Sequence, residues 1–481
     1  MRRSICVLFL LCLAAPLYAL HGKKTVQTLP LTTSSDKARE LYNKGITDFE
    51  NLYLERCNDD WRAAVKEDPN LALGWAWIAF NSRDPEEVGA ARAKAKALAA
   101  KTAPGEQLMI GWISNVQEGN FLAGISAMND MVEMYPKDKH VIYLAGNWLM
   151  LENGNDQAER LMERALRLDK NFPPALNDMA YLYARSRHFN KAFAAMEHYI
   201  AVLPKEPNPQ DSYAEILRMA GKFDGALEHY RKALKIDPDF VSSQLGLGDT
   251  YALMGDEEKA RVEYDKAIRF AHNEADRFDY GMQKAMTWVR EGNFAEADKA
   301  FAEVAQNAHA KGFELQEAQA YRHMAEYASD GSVAMKHLEA AVDALGPRQI
   351  SQSDHDEELS RILRIEVVRA TQMGSQALAD RTLHQLEALA DSSRSRVIQS
   401  SYEGAAGAAL MAQKQYADAV AHLEEDQDNP FSMQLLSQAY FETGQTDKRN
   451  EMEAKLRGTN VPTMEQALVV PAVRSKPSAS M

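Results

Sequence analysis

Two consecutive stretches decide the fold: residues 207–240, PNPQDSYAEILRMAGKFDGALEHYRKALKIDPDF, and residues 241–274, VSSQLGLGDTYALMGDEEKARVEYDKAIRFAHNE. Thirty-four residues separate Ala214 from Gly248, Gly221 from Gly255, Ala226 from Ala260, Tyr230 from Tyr264 and Ala233 from Ala267. A uniform period of that length marks a stacked repeat, whose single unit leaves an apolar stripe that only its neighbours can bury. The helix signals fall in the same frame. Asn208 is a suitable N-cap with Pro209 at the first helical position, and Gly221 supplies a left-handed stop. The sequence predicts a second helix from Phe223 to Ile236, ended by Asp237-Pro238.

These residues resemble the tetratricopeptide repeat (TPR), whose unit wants a small residue at position 8, Gly at 15, Ala at 20, an aromatic at 24, Ala at 27 and Pro at 32. The resemblance implies an all-α, right-handed superhelical solenoid of antiparallel helix pairs.

Followed outwards, the phase divides the chain. Gly124, Ala158, Ala192, Ala226 and Ala260 lie 34 residues apart at position 20 of five in-phase units over 105–274. An irregular region over 36–104 precedes them, with Cys57 at a small-residue position and Trp75 and Trp77 read as core. Degenerate units follow over 275–457, where Ala297 and Ala334 mark two slips to 37 residues that imply longer turns or an altered pitch. Arg449 and Glu453 put polar groups where the pattern wants Ala and an aromatic, as a terminal cap requires. Residues 458–481 form a tail containing Pro and Ser, and its apolar Ala467–Val473 segment looks extended and suited to folding back on the array. The first in-phase unit carries Trp112 at position 8 opposite Gly124, and the expectation is that the glycine makes room for the indole.

Charge and composition narrow the function classes. Of 481 residues 46% are hydrophobic, enough to bury cores, and 55 basic against 69 acidic side chains give a net charge of −14. Such a balance disfavours the phosphate backbone, so nucleic acid is not an expected partner. Arg2 and Arg3, an apolar run from Ile5 to Ala15 and a small residue at Ala19 have the layout of a signal peptide over residues 1–19. The run is short of the roughly 20 apolar residues of a membrane helix. Residues 20–35 read as a linker. The expected product is exported, of a bacterial type, periplasmic or extracellular, with no transmembrane segment after cleavage. Cys6 and Cys12 leave with the signal, and Cys57 alone excludes an internal disulfide.

No HExxH, GxSxG, P-loop or dinucleotide motif occurs in the sequence. The acidic runs at 353–359 and 424–428 match no calcium-loop spacing and read as solvated helix starts. No enzyme activity, metal or cofactor is therefore expected. In the resembled family the first helix of each unit lines a concave groove through positions 2, 5, 9 and 12. Carried over, this nominates Tyr143 and Asn147, Asn177 and Tyr181, Asp211, Glu215 and Arg218, and Asp249, with Met150 and Asn208 beside them. Amide, phenol and carboxylate groups at helical spacing suit an extended peptide read by hydrogen bonds. The basic clamp of the family's chaperone-binding branch is missing, because Tyr143, Asp178, Asn208 and Ser212 stand at the clamp positions. The function expected is a non-catalytic protein-interaction scaffold binding a partner peptide, with a carbohydrate or envelope-polymer binder as the alternative.

Overall fold

The computed structural model describes residues 28–346 and 350–475. The signal-peptide reading and the last six residues of the tail lie outside them. Among the described residues the secondary structure is helical throughout, with no strand. The first two pairs are α1 (Asp36–Glu50) with α2 (Leu54–Glu67) and α3 (Ala72–Asn81) with α4 (Pro85–Ala99). The five in-phase units are α5 (Pro104–Gln117) with α6 (Phe121–Met134), α7 (Lys139–Leu151) with α8 (Asn155–Leu168), α9 (Pro173–Arg185) with α10 (Phe189–Val202), α11 (Asn208–Met219) with α12 (Phe223–Ile236), and α13 (Val241–Met254) with α14 (Glu257–Phe270). The degenerate region is built of α15 (Glu274–Arg290) with α16 (Phe294–Lys311), α17 (Glu314–Tyr327) with α18 (Gly331–Ala344), α19 (Gln352–Gln372) with α20 (Gln376–Ser392), α21 (Arg396–Ala412) with α22 (Tyr416–Leu423), and α23 (Pro430–Glu442) with α24 (Thr446–Arg457). A last helix, α25, covers Met464–Ser475.

The repeated small residues sit where helices cross. Ala158, Ala192, Ala226 and Ala260 are fully buried, as are Tyr199, Tyr230 and Tyr264 or nearly so. A Cβ added at Gly248 would stand 2.6 Å from the Tyr264 ring, and one at Gly246 2.3 Å from that of Tyr230. Tyr230 and Tyr264 thus occupy volume that glycines of α13 vacate. Gly221 has φ +74° and ends α11 in the left-handed region, as the sequence predicts. Cys57 is fully buried and its thiol is pushed well above its ordinary range by burial, the behaviour of a small core residue. Trp61 and Trp77 stack at 5.2 Å in the first core.

Several expectations are corrected. The 37-residue slips come from longer helices, not longer turns: α15 has 17 residues and α16 has 18, against 12 to 14 in the in-phase units. Gly124 makes room for Val116 Cγ2, 2.7 Å from an added Cβ, and not for the Trp112 indole, which leans on Phe80 at 5.5 Å and Trp148 at 5.8 Å. Asn208 begins α11 but donates its side-chain N–H to Tyr199 Oη at 2.8 Å instead of capping. The described part of the expected linker is docked. Leu29 N–H donates to Asp138 at 2.7 Å, Thr32 N–H to Glu106 at 2.9 Å and Thr33 Oγ1 to Asp68 at 2.6 Å, while Leu29 and Leu31 join the first core. The tail residues 464–475 are helical and not extended, and Met464, Val469 and Val470 are buried.

Consecutive turns of the superhelix touch. Arg83, just after α3, pairs with Asp279 at 2.7 Å and Asp276 at 3.2 Å at the start of α15. Asn273 donates to Glu55 at 2.6 Å, and the Arg396 N–H at the start of α21 donates to Glu152, just after α7, at 2.9 Å. These contacts join residues 193 to 244 apart, so residues at or just after the turns that follow α1, α3 and α7 rest on the starts of α15 and α21.

Candidate functional site

The eight residues nominated from the sequence all lie on first helices α7, α9, α11 and α13, and most of them bond to one another or to a neighbouring side chain. Asn147 Nδ2 donates to Asp178 Oδ2 at 2.8 Å, and Tyr181 Oη donates to Glu215 Oε2 at 2.7 Å. Ser243 Oγ donates to Asp211 Oδ1 at 2.6 Å. Arg218 bridges Glu215 at 3.0 Å and Asp249 at 2.7 Å, and Asp249 also accepts from Tyr264 Oη at 2.9 Å. Each inter-unit bond spans 31 to 34 residues, about one repeat, because the first helices of neighbouring units stand side by side. Tyr143, Asn177, Arg218 and Asp249 are buried. The nominated residues thus belong to a polar ladder between repeats, in which Asn147, Tyr181, Asp211 and Glu215 stay half-buried. Burial pushes the Asp178 carboxyl up to about 6 and that of Asp211 to about 7, and it raises Asp249 against the pull of Arg218.

Two acids from the runs read as solvated are also internal. Glu358 accepts from Arg322 Nε at 2.6 Å with no exposure, and Asp426 pairs with Arg364 at 2.7 Å and accepts from Ser432 Oγ at 2.6 Å. Among the described residues no group of three or more His, Cys, Asp or Glu is placed to hold a metal ion. No described helix is long and apolar enough to cross a membrane.

Open clefts lie along both halves: one of about 430 Å³ is lined by Phe80, Trp112, Asn147 and Trp148. A cleft of about 730 Å³ runs along the C-terminal ends of α19 and α21, the face of α23, and the edges of α24 and α25. Val368, Met411, Leu435, Phe441 and Val473 make its apolar floor, and Gln434, Gln438, Arg449 and Glu453 bring amides and charges to it. Phe441 is 61% exposed, with the Arg449 guanidinium 5.0 Å from its ring centre and Glu453 2.9 Å from Arg449 Nε. Thr371 Oγ1 is buried there without a hydrogen-bond partner. Such a surface offers dispersion contact to apolar side chains and hydrogen bonds to a peptide backbone. Sequence reasoning missed it because the strict frame ends before it; the available signal was Gln434, Gln438 and Phe441, spaced four and three apart on one helix face.

Comparison with known proteins agrees with the repeat frame. Residues 214–255 match a TPR repeat model and residues 241–273 a tetratricopeptide repeat model. Protein CTR9 homolog of Arabidopsis thaliana is 24% identical over 163 residues, 32% of this chain and 15% of that protein. Protein O-mannosyl-transferase TMTC1 of Mus musculus is 24% identical over 142 residues, 29% of this chain and 15% of that protein. The matches thus span about 15% of the length of these curated relatives. Among solved structures, the APC/C hetero-tetramer Cut9-Hcn1 aligns with 86% of this chain and 79% of its own at 13% identity and a TM-score of 0.44. A tetratricopeptide repeat protein from Parabacteroides merdae aligns with 64% and 99% at 12% identity and 0.36. With two repeat models matched over residues 214–273 inside the in-phase region, the chain contains tetratricopeptide repeats, and the other helix pairs stack on the same array.

Proposed function

We infer that this protein-interaction scaffold works without catalysis, holding a partner peptide in the concave cleft between α19 and α25. The observation that carries the reading is the contrast between the two halves. Over α7–α13 the nominated polar groups bond largely to one another and to neighbouring side chains, whereas over α19–α24 a cleft of about 730 Å³ presents the exposed Phe441 beside amides and an Arg–Glu pair. An exposed apolar floor with a polar rim is the composition of a peptide-binding surface. The net charge of −14 favours neutral or basic partners. Arg2, Arg3 and the apolar run from Ile5 to Ala15 support export, which N-terminal sequencing of the mature protein checks; a chain beginning at Met1 in the producing cell counts against it.

Selection of a displayed peptide library on the immobilised chain tests the binding site. Recovered peptides should bind Phe441→Asp on the order of tenfold more weakly, as loss of an aromatic anchor at the centre of an interface implies. They should bind Leu122→Asp, at an exposed position on α6, as tightly as the unmodified chain. Equal binding to Phe441→Asp removes the cleft from the account.

A further inference from the structure

We propose that α25 is a displaceable occupant of the concave face, and that the segment a partner brings is a short helix of the same chemistry: an aliphatic strip like Val469, Val470 and Val473, further apolar groups on the opposite side, and no net charge. The inference rests on the concave-face reading above and adds the class of partner and the way access to it is controlled.

The placement of α25 is that of a ligand more than of a further repeat. It lies across first helices and bridges distant units. Met464 and Leu468 join the cluster of Phe278, Met282 and Met324 on α15 and α17. Val469, Val470 and Val473 join Leu436, Tyr440 and Leu456 on α23 and α24. The chain reaches it by a strap in which Asn460 Nδ2 donates to the Met219 carbonyl at 3.3 Å, and Arg474 closes back on Asn460 Oδ1 at 2.6 Å. Helix-in-groove recognition uses this kind of aliphatic strip spaced three and four residues apart.

Three observations mark the seat as exchangeable. α25 has 12 residues, with Val469 and Val470 adjacent and Pro471 inside it. A helix so short is marginal in isolation, β-branched residues weaken it, and the proline removes a donor, so its helicity depends on the surface beneath it. Gln466 is 1% exposed and its Oε1 has no hydrogen-bond partner, an unsatisfied buried acceptor that a better-fitted segment would avoid. The cleft of about 730 Å³ opens directly beside Val473, so α25 covers only part of the face it lies on. A partner helix that reached both the strip and the cleft would bury more apolar surface than α25 does. Glu465 and Arg474 cancel in charge, so exchange should depend little on salt.

The test uses a fluorescent synthetic peptide of residues 461–475, VPTMEQALVVPAVRS, titrated against the full chain and against the full chain carrying Val469→Asp and Val470→Asp. The loosened variant should bind the peptide on the order of tenfold more tightly, because its own helix no longer competes. A peptide carrying the same two substitutions should bind neither chain. Equal affinity for both chains, or binding to neither, overturns the proposal. So does loss of helical circular dichroism in the double variant, which would make α25 part of the core. On the unmodified chain, α25 amides should exchange with deuterium on the order of tenfold faster than those of α23; equal rates overturn the proposal. A dimer that dissolves on peptide addition would assign the strip to a second copy and overturn the partner class. If library peptides require Phe441 while the α25 peptide binds neither chain, the displaceable helix fails and the concave-face reading stands; the reverse pattern fails that reading alone.

Discussion

Arg218 and Asp249, one repeat apart, form a buried ion pair with Nη1 2.7 Å from Oδ2. Both side chains are more than nine-tenths covered, and Arg218 also holds Glu215 while Asp249 also accepts from Tyr264. Desolvating two charges offsets most of their attraction, so the pair specifies register between units more than it adds stability. Removing one member leaves the other buried and alone. Arg218→Met should cost on the order of 3–5 kcal/mol, and Arg218→Met with Asp249→Leu should recover much of it. Urea unfolding followed by circular dichroism checks both, and a double variant as unstable as the single would contradict this account of the pair.

Gly248→Ala separates packing from helix propensity. An alanine in a helix interior normally gains about 1 kcal/mol over glycine. Here its Cβ meets the Tyr264 ring at 2.6 Å, and Tyr264 itself is buried. Overfilling of this kind costs about 1–3 kcal/mol, so the variant should be no more stable than the parent and by expectation less. A raised melting temperature would show that the tyrosine moves aside freely.

Asp178 gives a pH dependence of unusual sign. It is buried, and its carboxyl is raised to about 6 by desolvation, opposed by the N–H groups of Asn147 and Asn177. A folded-state pKa above the unfolded value of about 3.9 means that the native state holds the extra proton between those values. Its contribution is most favourable at low pH and is lost as pH rises from about 4 through about 6. Asp178→Asn, which stays neutral, should therefore gain stability relative to the parent between pH 5 and pH 8, by on the order of 2 kcal/mol. Thermal melts of both proteins at the two pH values read this directly, and a constant difference would place the carboxylate in a better-solvated setting.

The repeat frame was legible because it is written in packing residues. Ala226, Ala260, Tyr230 and Tyr264 recur at one spacing because each fills the same helix crossing, and the crossing tolerates little else. The sequence boundaries of α12, Phe223–Ile236, are those of the structure. Beyond residue 274 the frame blurred because α15, α16 and α19 are longer, so the same crossings come at other spacings. The bonds within the nominated site were not legible for a physical reason: position on the concave side says which way a side chain points, not whether its neighbour one repeat away already holds it. Tyr181 and Glu215 point inward as expected and bond to each other at 2.7 Å. The helix at 464–475 escaped the sequence reading because Val469, Val470 and Pro471 weaken a helix in isolation, and only tertiary contact restores it.

Deuterium exchange of the chain with and without a selected peptide tests the central claim most directly. The account predicts slowed exchange along 368–372, 408–412 and 434–442, the walls of the cleft, with the ladder over α7–α13 unchanged. Protection confined to α7–α13, or to the outer second helices, would contradict it.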